Sequence, residues 1–420
     1  MGSQLEDGRE GNIEMEEGEG WQFSTLAAQA GFCQAGNGHS ITGKGKALWT
    51  FAGFQFESLQ HFEGSPYMYR RIKSPNSDDL AHAVASLESA EAGLATSSGM
   101  GATVAAVMGL LSAGDTILTH LDTYGGTTEF FNVDARRFGI NVHFANVLDV
   151  DILEESLASL TAGEDAEDVS QKQKKKVMVF LETITNPIIR EADVPAISAV
   201  VKKYKALLVV DHTFGTPLRE RPLLQGADLV VHSASKFLGG HNDLIAGVVV
   251  GPSAYVKKAT RIAAGWGLCA SAFDAWQAVR GIRTLQVRME RSWANAEELL
   301  KRLSASGLAL KVNSVPRCAV FSCEVYGGLD GVARALPAMH LIKLTPTLGG
   351  VTTTLSHPAS SSHKNFTPIE RRKSGISDGL IRISVGLEDA NDLWADLQQG
   401  LMAAKSTENG LVKAISDLSI

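Results

Sequence analysis

Cysteine is scarce in this 420-residue chain, and its four copies exclude more than they suggest. Cys33, Cys269, Cys318 and Cys323 form no C-x-x-C pair and meet no histidine cluster at zinc spacing, so neither a disulfide framework nor a structural metal is indicated. A reducing compartment fits best, and the cytoplasm is expected. Long apolar runs are also missing. The longest, such as ALLVV at 206–210 and VMVFL at 177–181, are strand-sized and far short of the roughly 18 residues of a membrane span. The first twenty residues carry seven acids against one Arg and no apolar h-region, which reads as a disordered acidic leader over 1–20 rather than a secretory signal. A net charge of −7 argues against a general nucleic-acid binder. The one basic run, QKQKKK at 171–176, follows the acidic GEDAED and reads as a solvated surface insertion.

With 44% hydrophobic and 20% charged residues, the chain can bury one large core and a smaller one. From about residue 80 to 250, helical patterns such as DLAHAVASLESAEAGL alternate with DTILTH, INVHFA, VMVFLE, ALLVVD, DLVVH and AGVVV. That alternation predicts an α/β domain with a mostly parallel sheet, and strands apolar throughout predict burial on both faces. From about 290, long amphipathic helices interleave with CAVFSCEV and GLIRISVGL, as in a smaller α+β domain. The chain thus divides into the leader, an irregular arm over 21–78, a large domain over 79–290 and a C-terminal domain over 291–420, the arm being of a kind that packs on a neighbouring subunit. One motif is rejected. GHSITGK at 38–44 matches the first seven positions of a nucleotide-binding P-loop, but Gly45 supplies no hydroxyl for Mg²⁺ and no buried strand precedes it.

The chemistry concentrates where buried strands end. DLVVHSASKFLGGHND runs from a strand into Ser233, Ser235 and Lys236. Alone, such a lysine would be a solvated surface group; beside two hydroxyls suited to a phosphate, it can serve as a Schiff-base amine once burial lowers its pKa. ALLVVDHTFGTP places Asp211 at the C-terminal end of another buried strand, the edge where open α/β sheets bind ligands. A carboxylate there can hold a pyridine nitrogen protonated, as pyridoxal phosphate (PLP) requires. ATSSGMGATVAAVMGLL sets Ser97, Ser98 and Gly99 at the start of an apolar helix, whose free N–H groups attract phosphate. Tyr124 follows a strand end in HLDTYGGT and can stack on a planar ring. Each feature has a plainer reading as cap, turn or core residue, but their order along the chain favours a cofactor site.

These segments resemble the cysteine and methionine metabolism family of PLP enzymes, which includes cystathionine γ-synthases and lyases, methionine γ-lyases and O-acylhomoserine sulfhydrylases. The resemblance rests on SSGM at 97–100, YGGT at 124–127, ETITNP at 182–187, DHTFGTP at 211–217, HSASKFLGGHND at 232–243, LGGVTT at 348–353 and RISVGLEDANDL at 382–393. It implies the fold-type-I PLP-transferase fold, with a mostly parallel seven-stranded sheet, and a homotetramer built as a pair of active dimers. By position it implies Lys236 as the cofactor-bearing, proton-moving lysine and Asp211 at the pyridine nitrogen, with Thr213 also on the cofactor. Gly99, Met100, Ser233 and Ser235 would cradle the phosphate, joined by Tyr69 and Arg71 from the neighbouring subunit. Tyr124 would stack on the ring and assist departure of the leaving group, Asn186 would bond the ring hydroxyl, and Arg382 with Thr347 would bind the substrate.

The implied reaction is γ-elimination or γ-replacement on a sulfur-containing amino acid or an O-acylhomoserine. Alternatives are a β-lyase, a specialised γ-substitution with a non-sulfur nucleophile, and a non-catalytic binding protein on the same fold. Departures from the family pattern bear on substrate. The arm reads Tyr69-Arg70-Arg71 then Ser74-Pro75-Asn76, adding the positive charge of Arg70, which could reach a second acidic group on the substrate. Pro346 replaces a common Glu before Thr347, and Gly126 replaces the cysteine of methionine γ-lyases.

Overall fold

The computed structural model describes residues 22–30, 47–162 and 175–417, with side chains described as far as residue 406. The leader, the GHSITGK segment and most of the basic run lie outside the described residues. Lys176, the last member of that run, is not a free surface cation: its Nζ donates to the Leu110 carbonyl at 2.8 Å.

Seven strands form the large sheet: β1 (Ala92–Thr96), β2 (Thr116–Thr119), β3 (Asn141–Phe144), β4 (Val177–Glu182), β5 (Leu207–Asp211), β6 (Leu229–Ser233) and β7 (Gly247–Gly251). Their order is β1-β7-β6-β5-β4-β2-β3, parallel from β6 through β3, with β7 antiparallel to both of its neighbours. The expected mostly parallel seven-stranded sheet is thus present. Both faces are covered, because side chains alternate across a strand. Leu208, Val210 and Val230 join a core with Leu80, Val84 and Leu87 of the Pro75–Glu88 helix. Val209, Leu229 and Val231 join the opposite core with Ala102, Ala106 and Val107 of the Gly99–Leu110 helix.

Strand β1 departs from the sequence expectation, which carried the preceding helix on to residue 94. The helix instead stops at Glu88, with Ser89 at φ 58° turning the chain, and AGLAT pairs antiparallel with β7. No local β-branched run announces this strand; its pairing across the sheet creates it.

The C-terminal part has a five-stranded sheet of β8 (Ala309–Asn313), β9 (Val320–Val325), β10 (Lys343–Leu344), β11 (Thr354–Ser356) and β12 (Leu380–Ser384), in the order β10-β11-β12-β9-β8. Phe321, Cys323, Ile381 and Ile383 pack against Leu299, Leu303, Leu393 and Leu397 from the Leu285–Ser306 and Ala390–Asp417 helices. The Leu285–Ser306 helix runs through residue 290, so the chain passes between the two parts along a continuous helix.

Candidate active site

A cavity of about 710 Å³ opens at the C-terminal ends of β4, β5 and β6 and is closed on its other side by residues of the C-terminal part. Parallel strands end there together, and two buried acids arrive side by side: Glu182 ends β4, Asp211 ends β5, and the two are register partners. Burial pushes Asp211 up from the usual carboxylate range, and burial with the nearby Asp211 pushes Glu182 well above it. Such a pair is stabilised by a cation set against it. Asp211 Oδ1 accepts from the Thr213 N–H at 2.9 Å, which aims the carboxylate.

The Gly99–Leu110 helix begins at the same edge. Ser98 caps it, its Oγ accepting from Gly101 N at 3.0 Å, and the first-turn N–H groups have no partner within the helix. A Cβ on Gly99 would stand 2.7 Å from the Ser233 Cβ, so glycine is required for the helix start to seat beside β6. The Ser233 N–H donates to Thr213 Oγ1 at 2.8 Å, tying the ends of β5 and β6 together. Of the two serines flanking the lysine, Ser235 already donates its hydroxyl to the Ala246 carbonyl at 3.2 Å, which leaves Ser233 as the better phosphate donor.

Lys236 follows in a tight turn after β6. Its Nζ donates to Thr347 Oγ1 at 3.1 Å, and burial together with the Arg382 charge pushes its pKa down to about 8. Arg382 is no surface ion-pair partner, being 6% exposed. Its Nη1 donates to Asn186 Oδ1 at 2.8 Å and its Nη2 to the Thr347 carbonyl at 3.1 Å, while its buried Nε has no partner. Burial lowers its pKa to about 10, so it stays charged and under-satisfied, as an anion-binding guanidinium should. Tyr124 lines the cavity, and its N–H donates to Glu182 Oε1 at 2.7 Å.

Gly99, Met100, Tyr124, Asn186, Asp211, Thr213, Ser233, Ser235, Lys236, Thr347 and Arg382 all line this one cavity. Tyr69 and Arg71 do not. In this chain Tyr69 is 45% exposed on the arm, and Arg71 donates to the Ala264 carbonyl at 2.6 Å. Arg70 Nη1 donates to the Thr50 carbonyl at 2.8 Å, so in this chain Arg70 also stays on the arm. Sequence reasoning missed Glu182, whose Oε2 also accepts from Asn186 N at 3.0 Å and which thereby positions both Tyr124 and Asn186. Its signal was available: it ends a buried strand just as Asp211 does.

A helix start with free first-turn N–H groups, a buried acid pair, a lysine of lowered pKa and an unsatisfied arginine on a doubly covered sheet fit a PLP enzyme of fold type I. The residues fit the cofactor, because each polar end of PLP has a counterpart in place. Comparison with known proteins agrees: the Cys/Met metabolism PLP-dependent enzyme family matches residues 32–402, and the chain belongs to that family. It is 34% identical to an L-methionine gamma-lyase of Pseudomonas putida, over 91% of this chain and 98% of that protein. It is 33% identical to an O-succinylhomoserine sulfhydrylase of Pseudomonas aeruginosa, over 92% of this chain and 96% of that protein. The crystal structure of cystathionine gamma synthase from Xanthomonas oryzae pv. oryzae in complex with aminoacrylate and cysteine superposes with a TM-score of 0.84 at 31% identity, covering 93% of this chain and all of that one. The chain is therefore a PLP-dependent lyase or transferase of sulfur amino-acid metabolism, in the γ-elimination and γ-replacement class. Nothing in these relatives favours the β-lyase or the non-sulfur alternative.

Proposed function

We propose that the cavity binds an amino acid carrying a leaving group at Cγ, with Lys236 as its proton carrier, Tyr124 at the departing group and Arg382 on the α-carboxylate. The observation that carries this reading is the arrangement around Lys236: an amine with pKa about 8, 3.1 Å from Thr347 Oγ1, beside a buried guanidinium with an unpartnered Nε. PLP, when bound, supplies the electron sink that stabilises negative charge at the substrate Cα. Asp211 would face its pyridine nitrogen, and the Gly99–Met100 amides with Ser233 would hold its phosphate. Asn186, gripped by Arg382, would meet the ring oxygen.

The chain's own residues divide the remaining work. Arg382 orients the substrate through a bidentate bond to its carboxylate, which sets Cα against Lys236. The Lys236 amine, whose lowered pKa leaves a share of it neutral, takes the Cα proton and then removes one from Cβ, so that a Cβ–Cγ double bond can form as the bond from Cγ to its leaving group breaks. Thr347 steers that amine through its hydroxyl. The Tyr124 hydroxyl serves the group leaving Cγ, and Glu182 fixes the turn on which Tyr124 sits.

In this reading the protein works as a homotetramer of active dimers in the cytoplasm, with Tyr69 and Arg71 completing the neighbour's phosphate site. Trp49, Phe51, Phe62, Met68, Tyr69 and Ile72 are all exposed along the arm, an apolar surface that a second copy would cover. Among the described residues, no helix is long and apolar enough to cross a membrane. The test is reconstitution with PLP, followed by assay of O-acetyl-L-homoserine, L-cystathionine and L-methionine for 2-oxobutanoate with and without an added thiol. Wild-type protein should gain a visible lysine–PLP band that Lys236→Ala lacks, and should turn over a γ-substituted substrate. Failure to gain the band would refute the assignment of the site.

A further inference from the structure

One wall of the cavity is not needed by the cofactor or by the α-amino acid core of a substrate. It is formed by Ser356, Ser360, Ser361, Ser362 and Lys364. The wall starts beside Arg382, since Ser356 on β11 is the register partner of Arg382 on β12. It ends against the Tyr124 turn, where the Ser362 carbonyl lies so near that a Cβ on Gly125 would come within 2.0 Å of it. The wall therefore spans from Arg382, the proposed carboxylate clamp, to the Tyr124 turn, the proposed leaving-group side.

Its charge is unbalanced. Three cations line the cavity, namely Lys236, Lys364 and Arg382, and the acids that line it, Glu182 and Asp211, both stand at the strand ends on the cofactor side. Asp211 is engaged by Thr213, and Glu182 by two backbone N–H groups. Lys364 makes no ion pair with any described residue. The backbone that presents it is anchored: His363 is fully buried, with Nδ1 2.9 Å from Ser362 Oγ and its ring edge-on to Phe366, and Lys364 N donates to the Ser361 carbonyl at 3.3 Å. The Ser360, Ser361 and Ser362 hydroxyls bond to His357 Nδ1, the His357 carbonyl and His363 Nδ1 and so fix the loop, which leaves the exposed Lys364 ammonium as its free polar group; a thioether methyl would gain little there, whereas an anion would gain a charge-assisted hydrogen bond.

We infer that Lys364, presented by the Ser360–Ser362 loop, is a specificity-determining residue for a second anionic group on the substrate, a carboxylate at the far end of the side chain beyond Cγ. The inference rests on the reading of the cavity as a PLP amino-acid site and names the substrate class that it selects.

The test uses the PLP-loaded protein and two unreactive ligands of similar length: L-2-aminoadipate, which ends in a carboxylate, and L-norleucine, which ends in a methyl group. Dissociation constants are read from the perturbation of the cofactor's absorption band. Wild-type protein should bind aminoadipate about tenfold or more tightly than norleucine, with the advantage shrinking as salt rises. Lys364→Met should erase the advantage while still showing the cofactor band, and Lys364→Arg should retain most of it. Equal affinities in wild-type protein, or an advantage that survives Lys364→Met, would overturn the inference. A band with no charge discrimination defeats this inference alone, whereas absence of the band defeats the underlying site assignment.

Discussion

Lys236 and Asp211 show how a buried sheet edge changes ordinary side chains. Burial and the neighbouring Arg382 lower the lysine from 10.5 to about 8, because a charged amine is penalised when water is withdrawn and a second cation stands near. The neutral, nucleophilic amine is therefore available from about pH 8 upward rather than from 10.5. The expected outcome is that the rate at which cofactor-free protein gains the lysine–PLP band rises through about pH 8, measured by stopped-flow absorbance across pH 6.5 to 10. A midpoint near 10 would show that the lysine is not buried as described. Asp211 moves the opposite way, burial raising its pKa, and a pyridinium beside it removes that penalty. Asp211→Asn should weaken PLP binding about tenfold or more with little loss of helix or strand signal, checked by equilibrium dialysis and circular dichroism.

At the scale of elements, the site depends on how helix starts meet strand ends. Gly247 on β7 is packed against the chain that opens the Gly99–Leu110 helix, and a Cβ there would lie 2.0 Å from the Ser98 carbonyl oxygen. Gly247→Ala must push the Ser98 turn away from the sheet, so weaker PLP retention and a stability loss of about 1–3 kcal/mol are expected by dialysis and urea unfolding. A variant as tight and stable as wild type would show that the turn is not held from below. The Ser74-Pro75-Asn76 departure also gains a physical account here. Ser74 caps the Pro75–Glu88 helix in a reciprocal capping box, and Pro75 occupies its first turn, where no N–H is needed. Asn76 accepts from Trp49 N at 2.8 Å and donates to the Ala47 carbonyl at 2.8 Å, pinning the arm to the helix. Asn76→Ala should release the arm, seen as faster proteolysis within residues 47–72 and faster amide exchange at Trp49.

At the scale of the whole molecule, the position of Tyr69 and Arg71 outside their own chain's cavity makes the proposed assembly testable through function. If Arg71 serves the neighbour's site, Arg71→Ala and Lys236→Ala are each inactive alone, but damage different halves of one shared site. Mixed dimers would then hold one intact site and one doubly altered site. Co-refolding equal amounts should restore about a quarter of wild-type activity, since about half of the dimers are mixed and half of their sites are whole. No restoration, with mixed dimers shown to form by mass spectrometry, would place Arg71 elsewhere.

The sequence by itself determined the strands β2 to β7, the Lys236 and Asp211 strand ends, the apolar helix that opens at Ser98 and Gly99, and the cofactor. Those features are local: unbroken apolar runs, Ser-Ser-Gly before an apolar helix, and polar residues where a strand stops. Only the tertiary structure decided that AGLAT is a strand, because its partner β7 lies more than 150 residues away in the chain. It decided that Arg382 is buried and under-satisfied rather than paired at the surface, and that Glu182 joins Asp211 across adjacent strands. It also set Lys364 at the edge of the cavity. Each of these depends on which distant segments share one sheet edge, and that is settled when the two cores close, not by any local pattern of residues.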